Sequence, residues 1–418
     1  MNAWIGMILF LSAFSGSAQA QEVPQALQAM KEGEDAIKKL DGHCAKCEAQ
    51  KKAEKKVEGL FDRRTLLKVK ITGQFSGKLK GDGGPGFNVP DHRLTQSPGM
   101  IEIKSHGQKF PVQLQRRGGG RGTCPVPLLK VIWDKKDAQI QGTLFDPLKD
   151  NDMKWVSECY FAENGAGFMG KKLNPIEHGS VMMEYLTQRW MEVSGFPAFR
   201  VRLAQVHYLD SSKGNRRFVK KMQYGFFIEP DKDVEKRLDV SVLHLKMFKP
   251  GYNDIDFMTD AKSDHTLAIP TILIEVLAAN WDYDLGKNKN TVVLMKKVQD
   301  KKKANLKEVG VYAGVLPYDM AISADIIFQG NESVNSILSR LQSNFEGKTS
   351  GFNGEIPNLN VARWKAEFLR YSKELLPKRQ AFLDEIQNLP IQMPEGVSKR
   401  VAAYFDALQL LVQENSPK

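Results

Sequence analysis

Asn280-Trp281-Asp282-Tyr283-Asp284 leads through Asn288 and Asn290 into the apolar run Thr291-Val292-Val293-Leu294-Met295, and Leu316-Pro317-Tyr318-Asp319 closes a second apolar run, Val309 to Val315. The reading of these stretches decides the fold. A carboxylate at a helix end, an amide a few residues on, a strand, and a second carboxylate at a strand end together suit phosphoryl transfer. One carboxylate orients or deprotonates a hydroxyl; the amide oxygen and the other carboxylate hold the Mg²⁺ that bridges the phosphates. Asn and Asp also gather in ordinary turns, where they hydrogen-bond their own backbone. The upstream order gives the pattern its weight.

From Leu66 to Cys159 the signal is strand. Leu67 to Ile71 alternates with period two, as do Met100 to Ile103, Pro111 to Gln115 and Leu128 to Trp133. Between the last two lies Arg116-Arg117-Gly118-Gly119-Gly120-Arg121-Gly122. A glycine-rich turn lets backbone N–H groups approach phosphates, which makes Gly118 and Gly120 candidate phosphate contacts; a plain hairpin loop uses the same residues. Met153 to Val156 is a short strand carrying Lys154. Gly179 to Val193 reads as a helix carrying Glu184 and ended by Gly195. Phe199 to Leu209 and Lys221 to Ile228 are strands, the second closed by Glu229-Pro230. Thr266 to Trp281 is an apolar helix interrupted at Pro270, and helices follow at Val334 to Phe345, Val361 to Leu376, Arg379 to Leu389 and Val397 to Val412. Strands precede helices, so the class is α+β.

That succession is the topology of a two-lobed, protein-kinase-like fold: an antiparallel sheet as N-lobe, a mostly helical C-lobe, and a helical extension in front. The expected division is 1–20 signal, 21–62 helical extension, 63–230 β-rich N-lobe and 231–418 helical C-lobe. The sequence also resembles a family. Gln113-Leu114-Gln115-Arg116-Arg117-Gly118, Cys124-Pro125-Val126-Pro127-Leu128, Gly142-Thr143-Leu144-Phe145, Lys154-Trp155-Val156-Ser157-Glu158-Cys159, Ala279-Asn280-Trp281-Asp282 and Pro317-Tyr318-Asp319 are similar to segments of exported bacterial proteins of uncharacterised activity. Those proteins are distantly similar to the spore-coat CotH kinases, atypical secreted protein kinases. The resemblance spans residues 65 to 325.

The resemblance implies roles by position. Asp282 resembles the catalytic aspartate; Asn290, with Asn288 a near rival, and Asp319 resemble the metal ligands. Lys154 would hold the phosphates and Glu184 would pair with it. Lys130 is a rival for the lysine role, and Glu229 sits where a hinge would meet an adenine. The implied ligands are ATP with Mg²⁺ or Mn²⁺, and the acceptor is a hydroxyl of a protein or envelope polymer. Three departures separate this chain from its likeness: Ala321 where a second acidic residue is common, Lys289 where a His is common, and the basic segment Lys296 to Lys307. They point to the alternative, a non-catalytic secreted or envelope binding protein.

Composition bounds the remaining classes. Met1 to Ala20 reads as a secretory signal, with an apolar core Ile5 to Phe14 and an Ala18-Gln19-Ala20 cleavage pattern, although the n-region lacks Lys and Arg. The expected location is periplasmic or secreted, with no membrane span. The four cysteines suit export. Cys124 and Cys159 sit at candidate strand ends and are expected to pair, and Cys44 with Cys47 reads as a local disulfide. Ala, Glu and Lys-rich residues 22 to 60 have helical spacing at Leu27, Met30, Ile37 and Leu40. The net charge of +11 is spread along the chain without interleaved aromatics, which argues against nucleic acid and for a solvated basic surface or attraction to anionic partners. The seven histidines are scattered, and neither G-x-S-x-G nor H-E-x-x-H occurs, so hydrolase chemistry has no motif behind it.

Overall fold

A computed structural model describes residues 58–77, 79, 96–117, 128–157, 179–219, 223–243, 264–279, 291–296, 312–317, 332–348 and 359–416. The expected signal, the extension to residue 57 and the four cysteines lie outside them. Residues 58–418 form one compact unit.

The strand expectations hold closely in place. β1 (Leu67–Gly73), β2 (Gln96–Ile103), β3 (Gln108–Arg116), β4 (Leu129–Ile132), β5 (Asp152–Ser157), β6 (Val201–Asp210) and β8 (Gln223–Ile228) all fall on the alternating runs, with a short β7 (Arg216–Arg217) between the last two. Their neighbours are what the sequence hides. The sheet runs β1-β2-β3-β4-β5-β8-β6, and β6 then pairs with β1 in parallel, from Leu67 opposite Ala204 to Gly73 opposite Asp210. This pairing closes the ring into a seven-stranded barrel. It corrects the expected architecture: a closed barrel with few helices stands where a two-lobed, kinase-like arrangement with an antiparallel N-lobe sheet and a helical C-lobe was expected. The physical reason lies in β1, which would otherwise expose a row of unpaired N–H and C=O groups; closure satisfies both its edges. Alternation tells which face of a strand is buried but not which strand lies beside it.

The barrel is filled, not hollow. Val69, Ile71, Ile101, Phe110, Leu114, Val131, Trp155, Val206 and Phe227 belong to one buried cluster. Phe145, from the β4–β5 connection, packs edge-on against Phe110 at 4.8 Å and Trp133 at 5.1 Å between ring centroids, and Trp155 meets Phe227 at 4.7 Å. Each such side chain contributes roughly 1.5–3 kcal/mol by leaving water. Gly225 on β8 is required by close approach: a Cβ there would collide with the Val156 carbonyl oxygen and the Trp155 ring.

A second core lies outside the barrel wall. On β8 the adjacent Phe226 and Phe227 are both buried, Phe227 in the barrel and Phe226 in the outer cluster with Val156, Val201, Leu203 and Ile228. Against that outer cluster pack α1 (Gly179–Ser194), α3 (Ile269–Leu277), α4 (Val334–Phe345), α5 (Val361–Leu375), α6 (Arg379–Gln387) and α7 (Glu395–Asn415). α1 stops where expected, with Gly195 in the left-handed region at φ +81°. Pro270 does not interrupt a helix: a 3₁₀ turn (His265–Ala268) precedes it and Pro270 opens α3, where its missing N–H costs nothing. α2 (Asp231–Leu238) and a sheet ordered β11 (Tyr312–Pro317), β10 (Thr291–Lys296), β9 (Val240–Leu243) complete the unit. Among the described residues no helix is long and apolar enough to cross a membrane.

Buried arginines tie these parts together. Arg202 donates from inside the wall to the carbonyls of Leu60 at 3.4 Å and of Arg63, and to Thr65 Oγ1 at 2.9 Å, which fixes the segment entering β1. Arg189 on α1 binds Glu385 on α6 at 2.8 Å, and Arg400 on α7 binds Glu332 and the Val276 carbonyl at the end of α3.

Candidate functional site

The apolar sequence of α3 buries the helix completely, and its end is abrupt. Ala279, a non-glycine residue, takes φ +50° there, a conformation that costs roughly 1–2 kcal/mol outside glycine. Asn280-Trp281-Asp282 follow directly in the sequence. β10 and β11 are antiparallel, with Thr291 opposite Pro317, Val292 opposite Leu316 and Val293 opposite Val315. Asn290 is one peptide from Thr291 and Asp319 two from Pro317, each link spanning about 3.8 Å between Cα atoms. The described flanks of the two expected metal ligands therefore leave the same end of one hairpin. α3 packs on β11, so the flank of Asp282 belongs to the same block. Asp282, Asn288, Asn290 and Asp319 themselves lie outside the described residues, as do Gly118 and Gly120, whose flanks Arg117 and Leu128 are joined by an N–H to carbonyl bond of 2.9 Å.

The remaining expected residues are described. Lys154 and its cross-strand partner Lys130 stand on the outer face of β5 and β4. Like charges directly opposite each other repel, and each has a carboxylate: Lys130 meets Asp152 at 2.8 Å, and Lys154 meets Asp231 at 3.3 Å. The Lys154 ammonium also lies 5.9 Å from the Phe199 ring centroid and keeps 21 % of its side chain exposed. Asp231 lies in the first turn of α2, whereas the sequence reading set Glu184 against Lys154. Glu184 is buried within α1, which packs on β6 and β8.

Glu229 is wholly buried and held from two sides. Arg200 Nε donates at 2.9 Å and Arg237 Nη2 at 2.6 Å, while the backbone N–H groups of Arg200 and Glu229 exchange bonds with the other residue at 3.0 and 2.9 Å. Its carboxylate and its N–H are engaged by the protein's own groups, an arrangement that fits a strut between β6, β8 and α2 and does not fit contact with an adenine edge.

The first turn of α2 was missed by the sequence reading. Asp231, Lys232 and Asp233 each reach the β4–β5 connection or β5: Lys232 pairs with Asp150 at 3.0 Å, and Asp233 accepts the N–H groups of Lys149 at 2.9 Å and Asp150 at 3.3 Å. Burial pushes the Asp233 carboxyl above its ordinary pKa, against the pull of those two N–H groups. Acidic residues just after Pro230 were the available signal, since carboxylates favour a helix N-terminus. Among the described residues no group of three or more His, Cys, Asp or Glu side chains could hold a metal.

No protein-family model matches this chain, and no curated protein matches it.

Proposed function

We propose that the protein is a metal-dependent phosphotransferase of the periplasm or secreted space, moving the γ-phosphoryl group of ATP to a hydroxyl of a protein or envelope polymer. The observation supporting this reading is the pairing of Thr291 with Pro317, because the chain on either side of that pair carries Asn290 and Asp319. In this reading Asp282 orients the attacking hydroxyl and accepts its proton. Asn290 and Asp319 would hold Mg²⁺ or Mn²⁺, which would supply charge neutralisation for the phosphates. Lys154 exchanges Asp231 for a phosphate oxygen. Few groups are needed because this chemistry is chiefly positioning and electrostatics.

A second reading, a non-catalytic binding protein of the envelope, is favoured by Glu229, whose engagement by Arg200 and Arg237 leaves the base end of a nucleotide without its expected partner. Thermal unfolding of the chain with and without ATP and Mn²⁺ separates the two. At about 100-fold over its dissociation constant ATP adds about 2.7 kcal/mol to folded stability. A metal-dependent rise in Tm that Asp319→Ala abolishes supports the phosphotransferase. No rise at millimolar nucleotide overturns it in favour of the binding protein.

A further inference from the structure

The barrel wall opposite the helices carries a row of charges that the site above does not use. Cross-strand pairing sets His207 beside Lys70, Lys70 beside Glu102, and Glu102 beside Lys109, across β6, β1, β2 and β3. Adjacent strands are about 4.8 Å apart, so the row spans roughly 14 Å. Arg217 extends it, with Nη2 3.1 Å from His207 Nδ1, and Lys104 stands exposed where β2 ends. Glu102 is the single acid of this row, bound to Lys70 at 2.5 Å. Its carboxyl is held below the ordinary value first by that hydrogen bond, with Lys70, Lys104 and Lys109 all adding attraction. One carboxylate thus faces several cations, and the excess is positive. Keeping like charges this close costs free energy that an anionic partner returns.

We infer that this face of the barrel is a docking surface for a linear polyphosphate, a polyanion with closely repeated phosphate groups. A polymer is favoured over a lipid surface because no apolar wedge accompanies the charges: among the described residues the exposed large hydrophobics are Val361 and Leu410, both on the helices α5 and α7. The row also contains no Phe, Tyr or Trp, so it lacks the broad aromatic faces on which successive bases stack.

The test uses the full chain and long-chain inorganic polyphosphate as probe, with affinity measured by titration calorimetry between about 50 and 200 mM salt. A triple variant, Lys104→Gln with Lys109→Gln and Arg217→Gln, removes exposed cations of the face. A control, Lys373→Gln with Lys378→Gln and Lys399→Gln, removes the same charge from the helices. The face variant is expected to weaken binding at least about tenfold and to lower the slope of log affinity against log salt by about 3, the control by neither. In the parent chain the His207 imidazole, whose pKa burial and then Arg217, Lys104 and Lys70 hold down, titrates at higher pH once polyphosphate is bound. Equal weakening by the two variants overturns the assignment. So does tighter binding to duplex DNA or to phosphatidylglycerol vesicles than to polyphosphate.

Discussion

The indole N–H of Trp155 donates to the Tyr208 hydroxyl at 2.7 Å, linking β5 to β6 through the interior of the barrel. Both side chains are essentially inaccessible to water. Tyr208→Phe strands a buried donor and is expected to lower unfolding free energy by about 1–3 kcal/mol. Adding Trp155→Phe removes that orphan at the cost of some packing, so the double variant should fall short of the sum of the two single effects. Urea unfolding of the three variants measures the coupling.

Alkaline instability follows from the same hydroxyl. Burial raises the Tyr208 pKa from 10.0 to about 12, against the hydrogen bond from Trp155 that pulls it down. Burial likewise raises Tyr185 to about 12. A folded-state pKa above the unfolded one means the native state retains its proton longer. The stabilisation is complete below pH 10 and is lost as pH rises toward 12, on the order of 2–3 kcal/mol for Tyr208. Urea midpoints taken through that window should decline less steeply in Tyr208→Phe than in the parent chain.

Glu229→Ala leaves Arg200 and Arg237 facing each other without their shared carboxylate. Complete burial of such a loss costs 3–5 kcal/mol. The arginine side chains are 32 % and 30 % exposed, so about 2–4 kcal/mol is expected, read as a fall in Tm. Glu229→Gln should recover part of it by keeping acceptor geometry on one side.

At Gly225 the sign is opposite to the usual benefit of removing a glycine from a strand. Alanine there meets the backbone oxygen of Val156, which cannot swing aside as a side-chain end can. Gly225→Ala is expected to destabilise by about 1–3 kcal/mol or more, measured by chemical denaturation.

What the sequence made legible was local. Period-two runs located β1 to β6 and β8, and Gly195 marked the end of α1. Long-range pairing was not legible: nothing in Leu67 to Ile71 announces Ala204 to Tyr208 as a parallel neighbour, and the order of elements therefore suggested an antiparallel N-lobe sheet. β6 lies where the strand was expected, but its first half hides its surroundings for a related reason. Val201 and Leu203 face the helices while Arg202 and Ala204 are buried on the other side, so alternation does not separate inside from outside there. α2 escaped because Asp231 to Leu238 is mostly charged and lacks an apolar stripe broad enough to notice. Near the expected site, Thr291 lies opposite Pro317, and Asp231, a carboxylate that Lys154 meets, belongs to α2, an element the sequence reading did not contain.

The parallel seam between β1 and β6 has a bearing on how the chain reaches its native state. Leu67 finds Ala204 only after every other strand of the ring except β8 has been made. Such sequence-distant contacts slow folding, because chain closure must be completed before the contacts reward it. Until then β1 offers a bare edge to any other extended segment, including another copy of itself. Fragments that end before Val201 inherit this edge permanently and should aggregate, however intact their remaining hairpins.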